Sequence, residues 1–139
     1  MDNILSSEQR VDEMNQNVIN RATKTAQKST VVRGRVGAVL FMQTGQVITA
    51  ACNKTIHGKQ DSGTFTAHAE ERLLAKAHKL KAVSRFGIPN LSILVVRWKP
   101  SIKGLAMAKP CDPCAYYMRE AGFRRIYYSD EDGNIVRFH

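Results

Sequence analysis

Cysteine is scarce in this chain of 139 residues: there are three, an odd and sparse set. That excludes a disulfide framework as the source of stability and points to a reducing compartment. No apolar run is long enough to cross a bilayer, and the opening MDNILSSEQR lacks the apolar stretch of a secretory signal. A cytoplasmic protein with no membrane partner is therefore expected. Aromatic residues make up only 7% of the chain, and no basic-aromatic stripe of the kind that stacks successive bases is visible. Acidic residues are missing over two long stretches, Asn15 to Gln60 and Arg72 to Lys109, which nevertheless carry many lysines and arginines. The net charge of +9 favours an anionic partner, phosphate on a nucleotide or along a nucleic acid, although a solvated basic surface would use the same charge.

The rest of the composition is that of a globular protein, 43% hydrophobic and 24% charged, with no internal repeat and no low-complexity tract. The length suits one domain, 1–139, with a sizeable core. Val11, Met14, Val18, Ala22 and Ala26 recur at helical spacing, so 6–29 is expected to be an amphipathic helix capped by Ser6 and Gln9. RVGAVLFM (35–42) and QVITAAC (46–52) are rich in β-branched residues and flank Thr44-Gly45, which predicts a hairpin. Residues 53–66 are polar and contain Gly, and are expected to form a loop; 67–82 should be a second helix. LSILVVRW (91–98) is nearly continuous in apolar residues, as in a strand covered on both faces. A second loop, 99–110, leads to a third helix from Cys111 to Ala121, stopped by Gly122. Strands at 125–129 and 134–138 are joined through Asp132-Gly133. This order predicts a three-layer α/β/α sandwich around a five-stranded mixed sheet, with the C-terminal strands as a hairpin.

The chemistry concentrates at two helix starts. In TAHAE, His68 and Glu70 stand two apart; in AKPCDPC, Cys111 and Cys114 stand three apart, behind Pro110 and around Pro113. Residues three apart share a helix face, so both sulfurs can reach one ion. Proline suits a helix entry, where a missing N–H costs little, and a helix N-terminus stabilises thiolate. One imidazole and two thiolates describe zinc better than iron, calcium or magnesium, and three protein ligands leave a catalytic position open. Glu70 is then free to act as the base for a water made acidic by the ion. Two other arrangements remain: Cys52 joining His68, Cys111 and Cys114 in a closed structural zinc site, or Cys111 and Cys114 as a redox pair. Glu71 is expected to be a solvated helix charge.

HAE followed by PCDPC resembles the zinc-dependent cytidine deaminase superfamily, and RVGAVL, CNKT and GFRRIYYSD extend the similarity over most of the chain from Arg35 onward. The stretch from GLAMAKPCDPC to GFRRIYYSD is similar to small deaminase-like proteins of phages and microbes. The resemblance implies a cytidine deaminase-like fold with a catalytic core at 35–139 behind an N-terminal helix and lead-in at 1–34. It implies Zn²⁺ on His68, Cys111 and Cys114, with Glu70 as the proton shuttle. Asn53 stands where the family binds sugar or base, the Ala69 backbone would meet the reacting edge of the base, and Val36 would pack against its ring. A homo-oligomer is also implied.

The expected function is hydrolytic deamination of a nucleotide, cytosine to uracil of the deoxycytidylate type, with Lys54, Lys59, Lys103 and Lys109 as candidates for the phosphate. One alternative is the same chemistry on a base in single-stranded DNA or RNA, with Phe65, Trp98 or Tyr116 as stacking surfaces. Another is a non-catalytic, zinc-stabilised nucleic-acid-binding module.

Overall fold

The computed structural model describes residues 14–31, 34–57 and 64–139. Its first element is helix α1 (Gln16–Gln27), whose cap is Asn15: the side-chain oxygen accepts from the Asn17 N–H at 2.8 Å. The expected Ser6–Gln9 cap lies outside the described residues. Val18, Ala22 and Ala26 form one fully buried face, as their spacing predicts.

Strands β1 (Arg35–Met42) and β2 (Val47–Cys52) pair antiparallel around a tight turn in which Gly45 adopts φ +95°. That left-handed conformation is cheap only for glycine, which explains the Thr44-Gly45 signal. The next stretch departs from expectation. Residues 53–66 do not form a plain loop, because β3 (Lys54–His57) and β4 (Thr64–Ala67) pair as a two-stranded antiparallel ribbon. Thr55, Ile56, Thr64, Phe65 and Thr66 have strand propensity, but the polar residues among them hid it. Helix α2 (Ala69–Lys79) follows, and Lys81 at φ 54° separates it from the short α3 (Ala82–Phe86), so the single helix expected over 67–82 is broken near its end.

Strand β5 (Leu91–Lys99) is the centre of the sheet. One side pairs along its length with β1, antiparallel. The other side is shared: Ile93–Val95 pair parallel with β7 (Ile126–Ser129), and Arg97–Lys99 pair antiparallel with β6 (Gly104–Ala106). The expected loop 99–110 thus contains a short strand. Between β6 and β7 lies α4 (Asp112–Glu120), and β8 (Ile135–Phe138) closes the sheet as the hairpin partner of β7. The path β2-β1-β5-β7-β8 is mixed, as expected, with β6 added beside β5.

Strand alternation divides the core into two. Val39, Phe41, Leu94 and Val96 face α1, while Ala38, Leu40, Ile93 and Val95 face the layer that holds Ala69, Leu73, Ala77, Ala82 and Met118. Three layers result. Helix α1 lies so close to β1 that a Cβ on Gly37 would come within 2.5 Å of the Ala22 carbonyl oxygen and the Ala26 nitrogen. Among the described residues no helix is long and apolar enough to cross a membrane.

Candidate metal and catalytic site

His68 is the N-cap of α2 and Cys111 is the N-cap of α4, with Cys114 in the first turn of the same helix. The two helices lie on one face of the sheet, so their N-termini bring the three side chains together. Helix α2 starts here because the Glu71 carboxylate reaches back to accept the His68 N–H at 3.1 Å. Glu71 is therefore one arm of a capping arrangement rather than only a solvated charge. Helix α4 starts behind the buried Pro110, and Pro113 occupies its first turn.

Nδ1 of His68 lies 3.2 Å from the Cys114 sulfur and 3.6 Å from the Cys111 sulfur. All three donor atoms fall within 4.8 Å of one another. Nitrogen and sulfur bound tetrahedrally to one zinc ion stand about 3.5 Å apart, given the usual bond lengths. The donor set and its spacing fit zinc. Burial pushes the Cys114 thiol well above the usual thiol range, and the neighbouring Glu70 carboxylate adds to the effect. A cation between the ligands supplies the positive charge that a buried thiolate lacks. Cys52 is not among the three: it lies on β2, where Arg72 donates to its carbonyl at 2.6 Å. The four-ligand structural site is excluded by that placement.

Beside the ligands is a cavity of about 340 Å³. Glu70 lines it while remaining 6% exposed, and burial raises its pKa above the usual carboxylate range, against the lowering effects of its own backbone N–H and of His68. Val36, Asn53 and Ala69 line the same cavity. Asn53 also braces it. Its side-chain oxygen accepts from the Val36 N–H at 2.9 Å and from the Ser29 hydroxyl at 2.6 Å, and its amide donates to the Gly34 carbonyl at 2.7 Å. It ties the end of α1 to the start of β1.

Of the lysines expected near a phosphate, only Lys109 lines the cavity among the described residues; Lys54 and Lys103 are exposed elsewhere, and Lys59 lies outside them. Trp98 packs with the core on the α1 face, away from the site, whereas Tyr116 is exposed and stacks edge-on with Tyr117. Sequence reasoning missed Thr66, Arg97 and Met107 on the cavity wall. The parity of β5 could have found Arg97, which shares a face with Ile93 and Val95.

A family profile for the cytidine and deoxycytidylate deaminase zinc-binding region matches residues 12–130. No curated protein sequence gives a significant match. Among solved structures, the dCMP deaminase of cyanophage S-TIM5, crystallised with dCMP and dUMP, has a TM-score of 0.61 at 23% identity, covering 88% of this chain and 85% of its own. A cytidine deaminase from Burkholderia pseudomallei has a TM-score of 0.57 at 22% identity, covering 89% and 91%. At that identity the likeness speaks for the fold. The profile covers most of the chain, including both helix starts, and the chain therefore belongs to the cytidine and deoxycytidylate deaminase family, the zinc-dependent deaminases.

Proposed function

We propose that the protein hydrolyses the exocyclic amine of cytosine in a nucleotide, releasing uracil nucleotide and ammonia, with deoxycytidylate as the type of substrate. The observation that carries this reading is the buried Glu70 carboxylate sharing one cavity with the three metal-ligating side chains. His68, Cys111 and Cys114 would hold zinc, which would supply the Lewis acidity that makes the proton of a water acidic near neutral pH. Glu70 takes that proton and delivers it to N3 of the ring as oxygen adds to C4. It then carries the second proton from the new hydroxyl to the amine, which leaves as ammonia while C4 becomes a carbonyl. A carboxylate with a raised pKa suits both the taking and the giving. In this reading Val36 and Ala69 wall the base. Gly34 takes one hydrogen of the Asn53 amide, and the other is offered to the substrate.

The test is ammonia release from zinc-loaded protein incubated with a panel of nucleosides, nucleotides and short oligonucleotides. An aminopyrimidine nucleotide should be deaminated, and Glu70→Gln should lower turnover by ~10²-fold or more while zinc content and fold persist. Equal turnover by the Gln variant, or no ammonia from any aminopyrimidine, would sink the proposal; the latter would favour a non-catalytic zinc module. The +9 charge and the exposed Tyr116–Tyr117 pair favour a second reading, the same reaction on single-stranded nucleic acid. Steep loss of substrate affinity with rising salt would select that reading over a mononucleotide.

A further inference from the structure

The geometry points to Arg97 as the residue that recognises the substrate's phosphate, which makes the cavity selective for a phosphorylated nucleotide over its nucleoside. This rests on the deaminase reading above. On β5, Ile93 and Val95 face the layer that contains the metal ligands, so position 97 continues that face at the end of the strand. An apolar residue there would extend the core; an arginine instead lines the cavity with Glu70 and His68. Its backbone is fixed between β1 and β6, opposite Val36 and Ala106, and its N–H is held by the Ser129 hydroxyl at 3.3 Å.

The guanidinium lies over Gly34, where an added Cβ would be 3.6–3.9 Å from Nε, Cζ and Nη2. Nε is buried and has no hydrogen-bond partner, and among the described residues no carboxylate pairs with the guanidinium. It does not ion-pair with Glu70 although both line one cavity. A partly buried cation without a paired anion is suited to receive one. The planar donor fork of arginine matches two oxygens of a phosphate, which no uncharged nucleoside offers. Lys109 also lines the wall, with its ammonium over the Phe138 ring, 5.7 Å from the centroid. A cavity of about 340 Å³ is small for a ligand site and suits a mononucleotide.

The experiment has two arms. In the first, kcat/KM is measured for deoxycytidine and for its 5′-monophosphate with the wild type, Arg97→Gln and Arg97→Lys. The preference for the monophosphate should fall about 10- to 100-fold in the Gln variant, mainly through KM, and less in the Lys variant, which keeps the charge but not the fork. An unchanged preference in either folded variant overturns the assignment. In the second arm, calorimetry follows dCMP, dUMP and deoxycytidine binding to zinc-loaded Glu70→Gln protein, with and without Arg97→Lys. Tighter binding of both monophosphates that weakens on Arg97→Lys supports the assignment even if no turnover is found, so failure of the reaction and failure of the site are separable. Equal affinity for nucleoside and monophosphates overturns it. A short oligonucleotide that binds more tightly than dCMP, with that advantage lost in Arg97→Lys, assigns the arginine to a strand phosphate and overturns the mononucleotide assignment.

Discussion

Asn53 offers the sharpest test of how the cavity is held in shape. Its side chain makes three hydrogen bonds, to Ser29, Val36 and Gly34, joining segments far apart in the chain. At about 1 kcal/mol net for each, Asn53→Ala should destabilise the fold by about 3 kcal/mol. Asn53→Asp separates the contributions. The carboxylate still accepts from Ser29 and Val36, but where the amide donated to the Gly34 carbonyl it now sets oxygen against oxygen. Only the protonated acid can donate there, so the folded variant holds this group's pKa above its unfolded value of about 3.9. A raised folded pKa means that the aspartate fits best below the unfolded value, and that stability is lost as pH rises through the folded value. Urea unfolding at a series of pH values should therefore show the Asp penalty, relative to wild type, shrinking as pH falls toward about 4. The Ala penalty should stay flat over the same range. An Asp penalty that does not change with pH, or an Ala penalty below about 0.5 kcal/mol, would refute the bracing role; a lost hydrogen bond ordinarily costs more than that.

Gly37→Ala should cost about 1–3 kcal/mol, because its methyl group would meet the backbone of α1 rather than a side chain that can swing away. A urea midpoint equal to that of the wild type would show that α1 can lift from the sheet. Zinc bound at this site should be released on acidification, since protons compete for the thiolates and burial already favours the neutral Cys114 thiol. Zinc retention after dialysis across a pH series reports this, and retention independent of pH would argue against thiolate ligands.

Much of the molecule can be read from its residues. The β-branched runs at 35–42 and 91–98, the glycine turn at Gly45 and the small apolar face of α1 each express one local preference that the tertiary structure preserves. His68, Cys111 and Cys114 are legible for a similar reason: metal ligation demands particular side chains, and helix starts fix their spacing. The ribbon β3–β4 and the short β6 are less legible, since their stability comes from pairing partners rather than from their own composition. The bracing by Asn53 depends on Ser29, Gly34 and Val36, contacts that no local pattern announces. Arg97 was visible as a charge, but its orientation follows only once β5 is placed between β1 and β6.

The site's geometry calls for one zinc ion held by one imidazole and two thiolates, with a position left open. X-ray absorption at the zinc edge on folded, metal-loaded protein tests it directly. Two sulfur neighbours at about 2.3 Å and two lighter ones at about 2.0 Å, from His68 and an exchangeable fourth ligand, are the expected result. A shell of three or four sulfurs, or a folded protein that takes up no zinc, would contradict it.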